Sequence, residues 1–451
     1  MSAHDEHPVR LEDSGPDGSG EPNAHGPQGL TRRGMLAAMT VPAWSGMLVV
    51  PALAQQAREV LTIAAFPLMD EIAKAAIPAW QAMHPDVELR ILMRQYSDHH
   101  TAMTTALSTA VGLPDVMALE SSFVGRFAQG GGLDDLRQPP FGIEAFRSRL
   151  VPYAYDQAVA RNGAVVAVPA DIGPGTMLYR KDILERAEVA PEELTRSWDG
   201  YVATGGRIKA RTGAYLIANV QEIKDILIAD GLKPGEGIYF DTESRVLVNS
   251  PRFERAFEVS LRARQKGLDA KVPAWSNDWG AGFKQGRLAT ELSGAWLVGQ
   301  LNAFIAPQTK GLWRASSLPG GAHAPYGGTF YAIARKSAPS RKRLAWDFIQ
   351  LMTLDPQRQL QAFKSYDAFP ALRDVHDDPF FSEPVDFLGG QRARLLWRDD
   401  ALRITALPVH KQAKFAEEVV QTELDKVLRG QKTIKAALAD AEQLLQRRAK
   451  R

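Results

Sequence analysis

Not one of the 451 residues is a cysteine. That absence excludes disulfides, thiol nucleophiles, thiolate metal sites and an acylated N-terminal cysteine. An excess of charge is missing too: 54 Lys and Arg stand against 52 Asp and Glu, a formal net charge of +2. No global field therefore favours nucleic acid or an anionic membrane. The chain has no GxSxG elbow, no HExxH, no phosphate loop ending in GKS or GKT, and no GxGxxG opening its first helix. Each absence removes a common enzyme signature.

What is present is ordinary globular material, 45% hydrophobic and 24% charged, long enough for two domains with sizeable cores. Residues 1–54 read as a leader. A polar, Gly/Pro-rich stretch is followed by TRRGMLAAMTVPAWSGMLVVPALA, in which Arg32 and Arg33 precede a mildly apolar run ended by Ala52-Leu53-Ala54. Pro42, Gly46 and Pro51 interrupt that run, and it is short for a bilayer span of about 20 residues. It resembles a twin-arginine export signal cleaved near Gln55. The mature protein is expected to be soluble, exported and not membrane-embedded.

From residue 59 the pattern is regular. VLTIAAF reads as a buried strand, PLMDEIAKAAIPAWQAM as a helix with Leu68, Ile72, Trp80 and Met83 near one face, and VELRILM as a second strand. Asp98 is the expected cap of the next helix, which carries Met103, Leu107 and Val111 and stops at Gly112; PDVMAL is a third strand. The order βαβαβ predicts parallel strands with right-handed crossovers. Ligands of open α/β sheets gather beyond the carboxyl ends of the strands, here Phe66-Pro67, then Gln95-Tyr96-Ser97-Asp98, then Glu120-Ser121-Ser122. Further along, helices are expected from Ser197, over 253–267, 341–353, 415–430 and 433–448, and a turn, strand and helix start within 283–301.

Few residues suggest chemistry. His99 and His100 are adjacent, so on a helix they point about 100° apart and share no ligand face; they are expected to be exposed helix-entry residues, and no metal site is expected. Glu120 with Asp171 is the carboxylate combination that the strand ends bring to a cleft, able to act as a glycosidase pair or, as favoured here, to accept hydrogen bonds from a polar ligand or a helix terminus. Trp275, Trp279, Trp296, Tyr96, Tyr179 and Tyr366 are available as flat rings for the C–H faces of a sugar. Trp80 and Trp346 sit in helical apolar patterns and count as core, whereas Trp296 follows the turn-like SGA.

Several segments together resemble the maltose-binding-protein-like extracellular solute-binding proteins of ABC importers. LPDVMALESSFVGRFAQGGGLDDL (113–136) resembles the family's third strand, ligand loop and following turn. VVAVPADIGPGTMLYRKDILERAEV (165–189) resembles its proline-marked crossover, with Arg180 in place of the usual asparagine. SWDGYV, FKQGRLATELSGAW, the stretch from LPGG through PYGGTFYAIARKSAPSRKRLAWDFIQLM, FPALRDV and VLRGQKTIKAALADA follow in the family's order.

The resemblance implies an α/β, two-lobed periplasmic-binding-protein fold (type II), each lobe a mixed sheet flanked by helices with a cleft at the hinge. Residues 55–169 with 325–367 would form the first lobe, and 170–324 with 368–451 the second. It implies ligand contacts from Trp296, Asp171 with Gly173, Glu120, Ser121, Ser122, Gly327, Gly328 and Thr329. Tyr366 sits near a position that often lines the cleft; Phe66, Tyr96 and Asp98 follow from the strand ends, and Trp275 and Trp279 from their aromatic character. The expected protein is a periplasmic, monomeric, non-enzymatic subunit without cofactor that delivers a small carbohydrate or polyol to the permease subunits of an importer. A polyamine or other cationic solute, and a secreted glycoside hydrolase using Glu120 and Asp171, are the alternatives.

Overall fold

The computed structural model describes residues 58–449 apart from 130, 234 and 409. The leader, with Arg32 and Arg33, lies outside the described residues. Three strands come first: β1 (Glu59–Ala65), β2 (Val87–Met93) and β3 (Val116–Glu120). β1 pairs in parallel with both β2 and β3, the arrangement that βαβαβ order requires. β1 is flanked on both sides and buries Leu61, Ile63, Ala64 and Ala65, whereas β2 is an edge strand and alternates. Their sequences differ for that reason.

The first helical stretch is two helices, Met69–Ala75 and Ile77–Met83. Pro78 falls in the first turn of the second, where its missing N–H is tolerated. Trp80 is fully buried and donates its indole N–H to the Val87 carbonyl at 3.0 Å, while Met83 faces outward. The next helix, Tyr96–Thr109, begins earlier than expected: Gln95 is its N-cap, and Asp98 lies exposed in its first turn. There a carboxylate favours the positive helix end without capping it. Ala110, with φ 59°, ends the helix two residues before Gly112.

β4 (Val168–Arg180) is a single strand of 13 residues, followed by β5 (Thr290–Gly294), β6 (Trp313–Ser316) and β7 (Pro325–Ala332). The order across the sheet is β2-β1-β3-β7-β4-β5, with β6 also on β4. The first half of β4 runs antiparallel to β7, from Val168 opposite Tyr331 to Pro174 opposite Pro325. Its second half runs between β5 and β6, with Gly175 opposite Gly294 and Arg180 opposite Trp313. One strand thus belongs to two groups of strands.

Three apolar clusters flank it. The first gathers Leu61, Trp80, Leu119, Phe330, Trp346 and Phe348. The second gathers Met177, Tyr201, Ile223, Phe257, Leu424 and Leu438, and the third Ile172, Leu178, Trp279, Trp313, Phe369 and Trp397. The later helices form as expected: Trp198–Thr212, Pro251–Gln265, Pro339–Thr353, Ala413–Leu428 and Ile434–Ala449, the last two parted at Gly430, whose φ is 72°.

Ser197 caps its helix by accepting a hydrogen bond from the Gly200 amide at 3.0 Å. Ser197→Ala is expected to lower the free energy of unfolding by about 1 kcal/mol in urea titrations. An unshifted midpoint would deny the cap that role.

Candidate functional site

Two proline-associated irregularities in the β4–β7 ladder, between Pro169 and Asp171 and between Ile172 and Pro174, shape the centre of the molecule. Proline has no amide to give the ladder, so the strand bends where it occurs. Asp171 is turned toward β7 and accepts the Thr329 amide at 2.7 Å. Ile172 donates its amide to Phe369, and Asp171 bridges Pro370, so the chain from 369 onward meets β4 at the same place.

Gly173, Gly294 and Gly327 surround the indole N–H edge of Trp296. A Cβ on Gly173 would collide with the Tyr326 carbonyl, and one on Gly294 with the indole nitrogen itself. Gly327 and Gly328 have φ of 79° and 124°, and the second is a conformation glycine alone adopts readily. The seat is closed by a hydrogen bond of 2.9 Å from the Trp296 indole N–H to the Tyr326 carbonyl. Trp275 lies over Trp296, ring centroids 5.8 Å apart and planes 15° from parallel.

Not all of the expected residues join this centre. Trp279 is only 3% exposed and belongs to the third apolar cluster, its indole N–H bonded to Glu291 at 2.8 Å. Phe66 is also buried, its ring edge-on to Tyr96 at 5.6 Å and to His99 at 5.5 Å. Tyr366 lies against the first apolar cluster, in a small crevice with Ile72, Ala76 and Met352. Tyr179 packs beside the second.

The histidine pair corrects the expectation of exposed helix-entry residues: His99 and His100 are both buried. His99 bonds the Ala118 carbonyl at 2.6 Å. His100 donates from Nδ1 to the Tyr96 carbonyl at 2.8 Å, accepts the Glu120 amide at Nε2 at 3.1 Å, and stacks on Phe123 at 4.0 Å. Burial holds both rings neutral, His99 down at about 4. They pin strand β3 to the preceding helix. No cluster of three or more metal-binding side chains occurs among the described residues.

Glu120 and Asp171 differ in their surroundings. Glu120 accepts Ser121 Oγ at 2.6 Å, the Ser122 amide at 3.0 Å, Ser122 Oγ, and Tyr96 Oη at 3.1 Å. Three of these donors converge on Oε2 and Ser121 alone reaches Oε1, and the geometry is that of a cap on the helix Ser121–Gln129. Asp171 has the Thr329 donors alone, and burial pushes its carboxyl up to about 6.

Residues that the sequence did not single out complete the surroundings. Asp367, in the left-handed conformation with φ 53° after the helix Pro356–Tyr366, presses on Gly299, and burial pushes it up to about 6. Glu222 and Glu291 are buried, burial raises both, and the Glu222 carboxylate oxygens have no geometric hydrogen-bond partner among the described residues. Lys414 pairs with Glu417 at 2.7 Å on the helix Ala413–Leu428, which lies against Ser121–Gln129. The i, i+3 spacing of that pair was the available signal. A separate crevice of about 910 Å³ is lined by Arg147, Asp156, Arg161, Asp241, Glu243 and His410, and contains none of the expected residues.

Residues 75–388 match the family model described as bacterial extracellular solute-binding protein. A lactose-binding protein of Rhizobium radiobacter is 25% identical over 367 residues, 77% of this chain and 82% of that protein. A crystal structure of an extracellular solute-binding protein family 1 member superposes with a TM-score of 0.75 at 23% identity, covering 87% of this chain and 100% of that one. An ABC-transporter-associated binding protein of B. animalis subsp. lactis, in complex with β-1,6-galactobiose, gives 0.71 at 23% identity over 87% of this chain and 98% of that one.

The Asp171 carboxyl generates a pH prediction. Its pKa rises on folding from 3.8 to about 6, so the folded state keeps a proton that the unfolded chain gives up in that interval. Its stabilising contribution is complete below pH 3.8 and lost as pH rises through about 6. Asp171→Asn, which keeps an acceptor for Thr329, is expected to flatten the wild-type decline of unfolding free energy across this interval by about 2–3 kcal/mol. Identical slopes in urea titrations of the two proteins would refute this assignment.

Proposed function

The chain belongs to the bacterial extracellular solute-binding proteins and has their two-lobed α/β fold, and from that premise we propose that it is the substrate-binding subunit of an ABC importer that captures a small carbohydrate or polyol. The observation that carries this reading is the seat of Trp296. A flat indole rests against glycine backbone, with Asp171 two residues from Gly173 on the same strand. An aromatic face suits the C–H side of a sugar ring and a nearby carboxyl its hydroxyl rim. The two relatives named for their ligands, lactose and β-1,6-galactobiose, are both carbohydrate binders.

The lobes are residues 55–169 with 325–367, and 170–324 with 368–451, with β4 as a crossover between them. In support, the first apolar cluster draws mainly on the former segments and the second on the latter. Solute contacts from both sides favour closure, and the closed form is what the permease subunits recognise. The protein works as a free periplasmic monomer exported by a twin-arginine signal. No helix among the described residues is long and apolar enough to cross a membrane.

The family and these relatives are binding proteins, and no bond cleavage is assigned. In a hydrolase Glu120 would have to act from Oε1, since Tyr96 and the Ser122 amide and hydroxyl already take Oε2. For a cationic solute Asp171, the exposed Asp98 and Glu120 are the carboxylates to pair with.

A thermal-shift screen of sugars, polyols, polyamines and amino acids tests the reading. A carbohydrate at a hundred times its Kd should add about 2.7 kcal/mol of stability. Trp296→Ala should weaken that binding roughly tenfold or more in calorimetry. Asp171→Asn should weaken a neutral sugar but abolish binding of a cation. Stabilisation by polyamines alone would replace the carbohydrate reading, and turnover of oligosaccharides would end it.

A further inference from the structure

Trp275 is out of place in two respects. Its side chain is 60% exposed, unusual for the largest apolar residue, and its backbone has φ 69°, a left-handed conformation that a bulky side chain adopts only under strain. Lys271, four residues earlier, is also left-handed, with φ 60°. Between these two bends the loop is tied at both ends. The Val272 amide bonds the Ala218 carbonyl at 3.1 Å, and Ser276 Oγ accepts the Trp279 amide at 3.2 Å while donating to Pro273 at 2.8 Å. Strain in such a loop persists only where its surroundings hold it, and it is typical of switching segments.

The strained loop lays one indole on another. Trp275 is nearly parallel to Trp296 with ring centroids 5.8 Å apart, and its other neighbour, Trp279, is buried and fixed by Glu291. A sugar ring between two indoles needs two contacts of about 3.5–4 Å, a spacing of about 7–8 Å. The present spacing admits no ring. We propose that Trp275 is a displaceable cap: it covers the face of Trp296 on which a solute stacks, and the solute must swing it aside to bind. The ligand-bound half of this proposal rests on the carbohydrate reading of the Trp296 site. The cap keeps a large apolar face out of water between capture events and makes entry depend on a solute that stacks better than Trp275 does. It is a specificity-determining residue that acts by competing.

Stacked tryptophans couple their transitions and give an exciton couplet in circular dichroism. Trp275 also pairs with Trp279 at 5.1 Å, so the couplet of the free protein should be absent from W275A and only altered in W296A, and Trp296 should become more accessible to acrylamide quenching in W275A. A couplet that survives in W275A, or unchanged quenching, would overturn the cap without any sugar being involved. With lactose as the probe, saturation should change the wild-type couplet, removing the part that W296A also lacks, and W275A should associate several-fold faster and bind more tightly in stopped-flow fluorescence. A couplet intact at saturation, or weaker binding by W275A, would overturn displacement and make Trp275 a plain second wall. If neither protein binds lactose or any carbohydrate of the screen, the carbohydrate reading fails, and the couplet and quenching still decide the cap. Because Trp275 is exposed, W275A should keep the wild-type melting temperature, and W275F provides a second variant of smaller change.

Discussion

The arrangement of the molecule depends on one strand. β4 exchanges hydrogen bonds with β7 over its first half and with β5 and β6 over its second, so neither group of strands is complete without it. At its middle, where Pro169 and Pro174 deny the ladder two amides, the pairing slips twice. Those slips turn Asp171 toward Thr329 and leave Gly173 against the indole of Trp296. A regular strand would point the same residues elsewhere, since each shift of one position reverses the face a side chain occupies.

Two acids of similar sequence appeal have been given opposite work. Glu120 is surrounded by donors from Ser121, Ser122 and Tyr96 and ends as the cap of a helix. Asp171 receives little and is half-buried, and its desolvation favours the neutral form. Most donors of Glu120 are the next two residues, with Tyr96 added from 24 residues back, whereas the partner of Asp171 lies 158 residues ahead.

That contrast marks how far the sequence could be read. Periodicity is a local property, and it was enough for β1, β2 and β3, for the parallel pairing, and for Trp80 and Trp346 as core. Motif order was enough for the family and its fold. The fates of single side chains were not local. His99 and His100 looked exposed at a helix entry because nothing nearby in sequence shows β3 and Phe123 closing over them. Trp279 looked free because its partner, Glu291, lies on a strand 12 residues on. Gly294, which alone leaves room for the Trp296 nitrogen, appeared only as part of a turn. Asp367 and Glu222 gave no signal, since burial of a charge is visible only in three dimensions.

The hydrogen bond from Trp296 to the Tyr326 carbonyl fixes the ring, and it also silences its one polar atom. Indole has a single donor and no acceptor, so with that donor committed inward the ring can offer a guest only its π surface. Such a surface responds to the flatness and C–H polarity of whatever lies on it and forms no hydrogen bond with individual hydroxyls. Hydrogen-bond selectivity among guests therefore cannot reside in this residue. On the reading proposed above, that part falls to the polar groups around the rim.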